Sequence, residues 1–180
     1  LKYLLLSMLT GLIMAYGFSL LYGATGSVDY ASMDFVGSGR LVLMAGVFVL
    51  VGFFAKITAV PFHFWAPDAY EGADTTSTTF IATLAKIGPM AALVKFVAVA
   101  IPGMSGLAMV VMVAAVASMI IGNYVAMSQN DVRRMMAYSG IATTGYILLG
   151  VGSGSEAGEA GAVFFIIIYS SAAMGQLLVV

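Results

Sequence analysis

The chain of 180 residues has no cysteine, one histidine (His63) and four prolines, and only 8% of its residues are charged. Without cysteine there is no disulfide framework and no thiolate metal site. A single histidine cannot supply a two-histidine haem site. Charge of either sign is scarce: seven Lys and Arg stand against eight Asp and Glu, a net of −1. That balance offers no basic surface for nucleic acid. Soluble domains carry roughly 25% charged residues, so these few charges cannot cover a globule. A soluble enzyme and a disordered chain are both excluded. What is present is apolar: 62% of the residues are hydrophobic and the mean hydropathy is +1.06. The class that remains is a polytopic protein with the lipid bilayer as solvent. The chain opens at Leu1, already inside an apolar run and without a signal-peptide pattern. Residues 1–180 therefore read as a single transmembrane region, a piece of a longer membrane protein.

Six apolar runs, at about 4–22, 41–60, 75–100, 105–127, 135–151 and 162–180, approach the ~20 residues a helix needs to cross the hydrocarbon core. They are too long and too little alternating for barrel strands. The expected fold is all-α, a polytopic transmembrane bundle of about six helices with prolines interrupting some of them. A polar stretch (23–40), an aromatic segment (61–74), a polar connector (128–134) and a Gly/Ser/Glu loop (152–161) separate the runs. An even number of crossings puts both chain ends on one side, with Lys2, Arg133 and Arg134. Arg40 and Lys95 lie toward the other. The bias of positive residues places 61–74 and 128–134 in the cytoplasm. Small residues four apart mark expected helix contacts: Ser7, Gly11 and Ala15, then Ser118 and Gly122, then Ser171 and Gly175.

The informative residues are Lys56 and Lys86, because a lysine in mid-membrane costs about 2.5–3.5 kcal/mol and tends to mark an ion path. Lys56 lies among Phe53, Phe54, Ile57 and Val60, on a helical face shared with Ala45, Gly52 and Ala59. Snorkelling to the headgroups is an open alternative for it. Lys86 is some 12 residues from the start of its run, roughly 18 Å along a helix. That is deep for snorkelling. Thr75, Thr79 and Thr83 share its face, a hydroxyl stripe leading from the loop to the ammonium. The alternative is that these hydroxyls bond their own helix. Pro61 cannot donate to the carbonyl of Ile57, nor Pro89 to that of Ala85, so both are expected helix breaks. Broken helices beside ionisable groups are a transporter feature. Burial disfavours charge on an amine and a nearby carboxylate favours it, so a lysine balanced between the two can relay protons. The acids Asp29, Asp34, Asp68, Glu71, Asp74, Asp131, Glu156 and Glu159 all fall in loops or at helix ends. A carboxylate partner for Lys56 is therefore expected outside the chain. His63, among Phe62, Phe64 and Trp65, reads as part of an interfacial aromatic belt or as a proton entry point. Asp68 and Glu71 read as a solvated loop, and Arg133 and Arg134 as anchors at an anionic leaflet.

Three blocks carry a family resemblance. They are Lys56-Ile-Thr-Ala-Val-Pro61-Phe-His63-Phe-Trp65-Ala-Pro67-Asp68-Ala-Tyr70-Glu-Gly72-Ala, Phe80-Ile-Ala-Thr-Leu-Ala-Lys86-Ile, and Gly122-Asn123-Tyr-Val-Ala-Met-Ser-Gln129-Asn-Asp-Val-Arg133-Arg134-Met-Met-Ala-Tyr138-Ser139, the last followed by Gly145-Tyr146. Together they resemble the antiporter-like membrane subunits of respiratory complex I (NADH-quinone oxidoreductase), the subunit N branch most of all. The resemblance implies the sixth to eleventh helices of a fourteen-helix subunit. It implies that Lys56 and Lys86 are the lysines of its seventh and eighth helices, relaying protons along a charged mid-membrane axis. A glutamate partner upstream and a further lysine downstream would lie outside this chain. By the same resemblance the chain holds no cofactor or metal, and NAD, FMN, iron–sulfur clusters and quinone belong to other subunits. The implied partners are the other membrane subunits of the complex, in a bacterial or mitochondrial inner membrane, with protons as cargo. Thr143 stands where many relatives have a histidine, and threonine cannot titrate. Ser139, Thr143 and Tyr146 share a face that can line a water path. The rival readings are a subunit of a multi-subunit sodium/proton antiporter and a structural spacer.

Overall fold

The structure is a computed structural model that describes residues 2–33, 35 and 39–179. Leu1, Asp34 and Val180 lie outside the described residues. Among the described residues eight helices follow in order: α1 (Lys2–Thr25), α2 (Gly39–Ile57), α3 (Trp65–Gly72), α4 (Thr75–Ala82), α5 (Leu84–Gly103), α6 (Ser105–Ala126), α7 (Val132–Gly152) and α8 (Glu156–Leu177). A short 3-10 turn, Tyr30–Ser32, follows α1. With α4 and α5 taken as one run, six segments among the described residues are long and apolar enough to cross a membrane. The chain is an all-helical, multi-pass membrane protein.

Local chemistry sets the helix starts. Asp74 accepts from the amide of Ser77 at 3.0 Å, Asp131 from that of Arg134 at 2.8 Å, and Ser155 from that of Gly158 at 3.1 Å. Each satisfies an orphan donor of the first turn. The Ser155 cap starts α8 at Glu156, inside the stretch expected to be a loop to Gly161. Glu156 and Glu159 sit in its first turn, where the helix dipole favours negative charge. The Asp131 cap likewise draws Arg133 and Arg134 into α7. The aromatic segment contains a helix of its own, α3.

The third apolar run is interrupted at Thr83, whose φ and ψ are −116° and −81°. Its amide and its hydroxyl both donate to the Thr79 carbonyl, at 3.1 and 2.6 Å. Such back-bonding by threonine bends helices. Pro89 sits inside α5, six residues beyond the interruption.

The close contacts differ from the expected small-residue stripes. On α1 the buried positions are Thr10, Gly17 and Leu21, and Met14 fills the notch at Gly52 of α2. Gly11 has open space around it, and Ala15 is exposed. A large side chain seated against a small one on the partner brings helices together as well as two matched small residues do. On α8, Ala162, Ile166, Ala173 and Leu177 face inward, while Ser171 and Gly175 face out. Only the Ser118–Gly122 pair lies at a close helix contact, against α7.

One end of the bundle is tied by charge. Asp68 on α3 meets Lys2 at 2.5 Å and Arg134 at 3.0 Å, and Arg134 also meets Glu71 at 2.7 Å. Arg133 donates to the Ala73 carbonyl and to the Thr75 hydroxyl, at 3.0 and 2.9 Å. Arg134 pairs with both acids, which stay partly exposed to solvent, while Arg133 is taken up by the α3–α4 loop. The segments 61–74 and 128–134 therefore share a side, as the count of crossings requires. The hydrogen bond from Lys2 holds the Asp68 carboxyl below its ordinary value, with Arg134 adding to the effect. Its contribution is present above the ordinary aspartate pKa and is lost as pH falls through the lowered one. Thermal unfolding in detergent is expected to drop on acidification below about pH 4. Asp68→Asn should flatten that drop, by less than about 1 kcal/mol because the pair is exposed. An identical acid profile in the variant would remove Asp68 from the account.

Candidate functional site: a buried lysine at a broken helix

The site grows from the way α2 ends. Pro61 has no N–H to give to the Ile57 carbonyl four residues before it. The chain turns at Thr58 with φ of +63°, and the Ala59 amide reaches back to the Phe54 carbonyl at 2.8 Å. That is the six-to-one bond of a Schellman ending, with threonine where glycine is usual. The freed carbonyls find other donors. The hydroxyls of Thr58 and Thr144 lie 2.6 and 3.0 Å from the Ile57 oxygen. The Trp65 indole donates to the Ala55 carbonyl at 2.9 Å. The Val60 amide is taken up by the Ser118 hydroxyl at 2.9 Å.

Lys86, near the start of α5, points at this ending. It is 2% exposed, and its ammonium donates to Thr58 Oγ1 at 2.9 Å. It also lies over the Tyr70 ring, 5.7 Å from the centroid, a cation–π arrangement. Among the described residues neither Lys86 nor Lys56 has an ion pair. The carbonyl end of α2 stands in for an anion, since a helix C-terminus carries about half a negative charge. Gly140 of α7 closes the far side. A methyl there would lie 2.7 Å from the Tyr169 hydroxyl, which crowds the position, and at van der Waals distance, 3.7 Å, from Lys86 Nζ. Tyr70, Ser139, Gly140, Tyr169 and Gln176 line a cavity of about 20 Å³. That is room for about one water. The Tyr70 hydroxyl is buried without a partner among the described residues.

Lys56 lies elsewhere. It is exposed, on a side of α2 where Tyr3, Ser7, Thr10, Trp65 and Ala85 border a cavity of about 40 Å³. This cavity reaches the α4–α5 junction through Ala85, one residue before Lys86.

The remaining candidates divide. Thr79 and Thr83 are buried, but each gives its proton to its own helix, at Thr75 and Thr79. Their oxygens stay available only as acceptors. Ser139 reaches the rim of the Tyr169 cavity. Thr143 is half-buried and donates to the Ser139 carbonyl at 2.8 Å. Tyr146 is 47% exposed, beside Asn123 and Phe165. Of these three only Ser139 borders the cavity beside Lys86; Thr143 and Tyr146 do not line it. The α7 threonine that reaches the α2 ending is Thr144, next to Thr143. His63 is buried against Phe64, with ring centroids 4.4 Å apart, and its Nδ1 has no partner among the described residues. Burial pushes its pKa below the ordinary value. Thr58, Tyr70, Thr144 and Tyr169 were not singled out by sequence reasoning. For Thr58 a signal exists: it follows a carbonyl that a proline three residues on leaves without a donor. For Tyr169 there is none, because its place depends on how α8 lies on α7.

Residues 1–180 match a family described as NADH:quinone oxidoreductase/Mrp antiporter, transmembrane. The NADH-quinone oxidoreductase subunit N of Salinibacter ruber is 42% identical over 175 residues, covering 94% of this chain and 35% of the relative. That of Acidithiobacillus ferrooxidans is 41% identical over 189 residues, covering all of this chain and 39% of the relative. The chain thus spans little more than a third of these relatives. Among solved structures, a chain of respiratory complex I from Thermus thermophilus with bound aureothin superposes with a TM-score of 0.84 at 32% identity. It covers 98% of this chain and 38% of that one. A chain of the Mrp complex from Dietzia sp. superposes at 0.87 with 27% identity, over 98% of this chain and 33% of that one.

Proposed function

Because this chain belongs to the NADH:quinone oxidoreductase/Mrp antiporter transmembrane family, we propose that it is the central part of a proton-translocating membrane subunit of NADH:quinone oxidoreductase. The observation that carries this reading is Lys86, buried at the broken end of α2 with no carboxylate partner among the described residues. A lysine kept in such a place at a cost of kilocalories has a role in moving charge. Lys86 holds and releases a proton as the charge near the α2 ending changes. Lys56 feeds or drains it from the α1 side, the Thr79 and Thr83 oxygens offer acceptors along the way, and the water-sized space beside Tyr169 carries the proton onward. The sequence has no cysteine and a single histidine, which fits a non-redox role. NAD, FMN, iron–sulfur clusters and quinone then belong to other subunits, and the segment by itself does not pump. Its partners are the other membrane subunits of the complex, in a bacterial inner membrane.

The Mrp likeness favours a second reading, a subunit of a multi-subunit sodium/proton antiporter. It ranks lower because the more similar relatives are subunit N chains. Purification of the full-length parent from its native membrane in mild detergent separates the two. The expected result is co-purification with flavin and iron–sulfur subunits and NADH-driven quinone reduction. Co-purification with membrane subunits alone, with sodium-dependent exchange, would move the assignment to the antiporter.

A further inference from the structure

Thr58 stands in a conformation that threonine avoids. Its φ of +63° lies in the left-handed region, where a side chain with a Cβ pays roughly 1–2 kcal/mol and glycine or asparagine is the usual occupant. A β-branched residue there is a marked outlier. Glycine would make the same Schellman turn without that cost, so the turn does not explain the side chain. What the side chain does is visible. It is fully buried, its hydroxyl proton points to the Ile57 carbonyl at 2.6 Å, and its oxygen faces Lys86 Nζ at 2.9 Å. With its one proton committed, Oγ1 presents only lone pairs to the lysine. The result is a short chain from ammonium to hydroxyl to the carbonyl end of α2.

We propose that Thr58 is the positioning residue of Lys86, its hydroxyl accepting the ammonium and linking it to the negative end of the α2 dipole. The proposal rests on the reading of Lys86 as a proton carrier and adds the group that aims it. The backbone strain at Thr58 is retained because the turn must hold an oxygen at that point. Among the other groups around Lys86, Tyr70 offers the face of its ring and Tyr169 lies beyond Gly140. Thr144 spends its proton on the Ile57 and Gly140 carbonyls, at 3.0 and 2.9 Å. Among the described residues Thr58 is the one hydrogen-bond acceptor of Lys86.

The test uses the full-length subunit in its native membrane complex. Thr58→Ser, Thr58→Gly, Thr58→Val and Lys86→Met are compared for protons translocated per NADH oxidised, for turnover and for thermal stability. Serine keeps the hydroxyl and is expected to stay within about twofold of the parent. Glycine relieves the backbone and removes the oxygen. It is expected to be at least as stable as the parent, yet to lose translocation several-fold, toward the level of Lys86→Met. Valine keeps the shape without the oxygen and is expected to lose translocation as well. A turn with a purely structural role gives the opposite order, with glycine as good as the parent or better. Parental translocation in Thr58→Gly beside a defective Lys86→Met would overturn the positioning role and leave the function of the lysine standing. Equal losses in serine, glycine and valine would also overturn it. Parental translocation in Lys86→Met would overturn both.

Discussion

Lys86→Met in the full-length subunit is expected to lower protons translocated per NADH oxidised by at least about tenfold, a smaller loss than the roughly hundredfold or more that a positioned proton-transfer group contributes to a rate. The subunit should nonetheless remain folded. Lys86 has one hydrogen bond, to Thr58, and no carboxylate partner among the described residues. Replacing it with an unbranched apolar chain of similar length removes a group that costs about 2.5–3.5 kcal/mol in the membrane interior. Thr58 keeps its own bond to Ile57, and the Tyr70 ring keeps a packing partner. The thermal midpoint should therefore hold or rise while translocation falls. Lys86→Ala should lose translocation too, but it also leaves a cavity, so its loss is harder to read. Translocation measured in reconstituted vesicles, beside thermal unfolding of the same preparation, decides the matter. Parental pumping in a stable Lys86→Met variant would leave the chain as a spacer between neighbouring subunits.

Gly122→Val is expected to have the largest effect on folding. A Cβ at Gly122 would lie 2.5 Å from the Ala142 amide nitrogen and 2.9 Å from its Cα. Both are backbone atoms, so no side-chain rotamer relieves the clash, and α6 and α7 must part. The same contact recurs one turn along α7, where a Cβ on Gly145 would lie 2.7 Å from the Ala115 carbonyl oxygen. Overpacking of this kind costs about 1–3 kcal/mol and sometimes more. Here the damage spreads, because Ser118 on α6 and Thr144 on α7 hold the two sides of the α2 ending. Most of the subunit should fail to assemble or to survive detergent extraction. Gly11→Ala and Gly175→Ala, where nothing lies within 4 Å, should change stability by no more than about 0.5 kcal/mol. Monodisperse yield after extraction, with thermal unfolding of what remains, provides the check. A parental midpoint for Gly122→Val would mean that α6 and α7 do not touch as described.

The sequence alone determined the class, the number of crossings and the two lysines, because each depends on local composition. Apolar runs of membrane length must be helices in lipid, whatever their neighbours are. A lysine inside such a run is conspicuous wherever it ends up. Pro61 likewise announced the end of α2, since a missing N–H four residues after a carbonyl is a local fact. Tertiary structure decided which lysine is enclosed. Lys56 and Lys86 look alike in sequence, yet one is exposed and the other 2% exposed. The difference lies in the ring of α3, α7 and α8 residues around Lys86, contributed by Tyr70, Gly140 and Tyr169. It also decided the contact faces, where Met14 in the notch of Gly52 displaced the expected stripe on α1. The same holds for the path residues: a wheel places Ser139, Thr143 and Tyr146 on one face, but only packing tells which face of α7 meets α2. That face carries Thr144. The pairing of Lys86 with Thr58 spans 28 residues and two helix interruptions. Local propensities do not encode such a distance, because it is set by how two broken helices pack at the centre of the bundle.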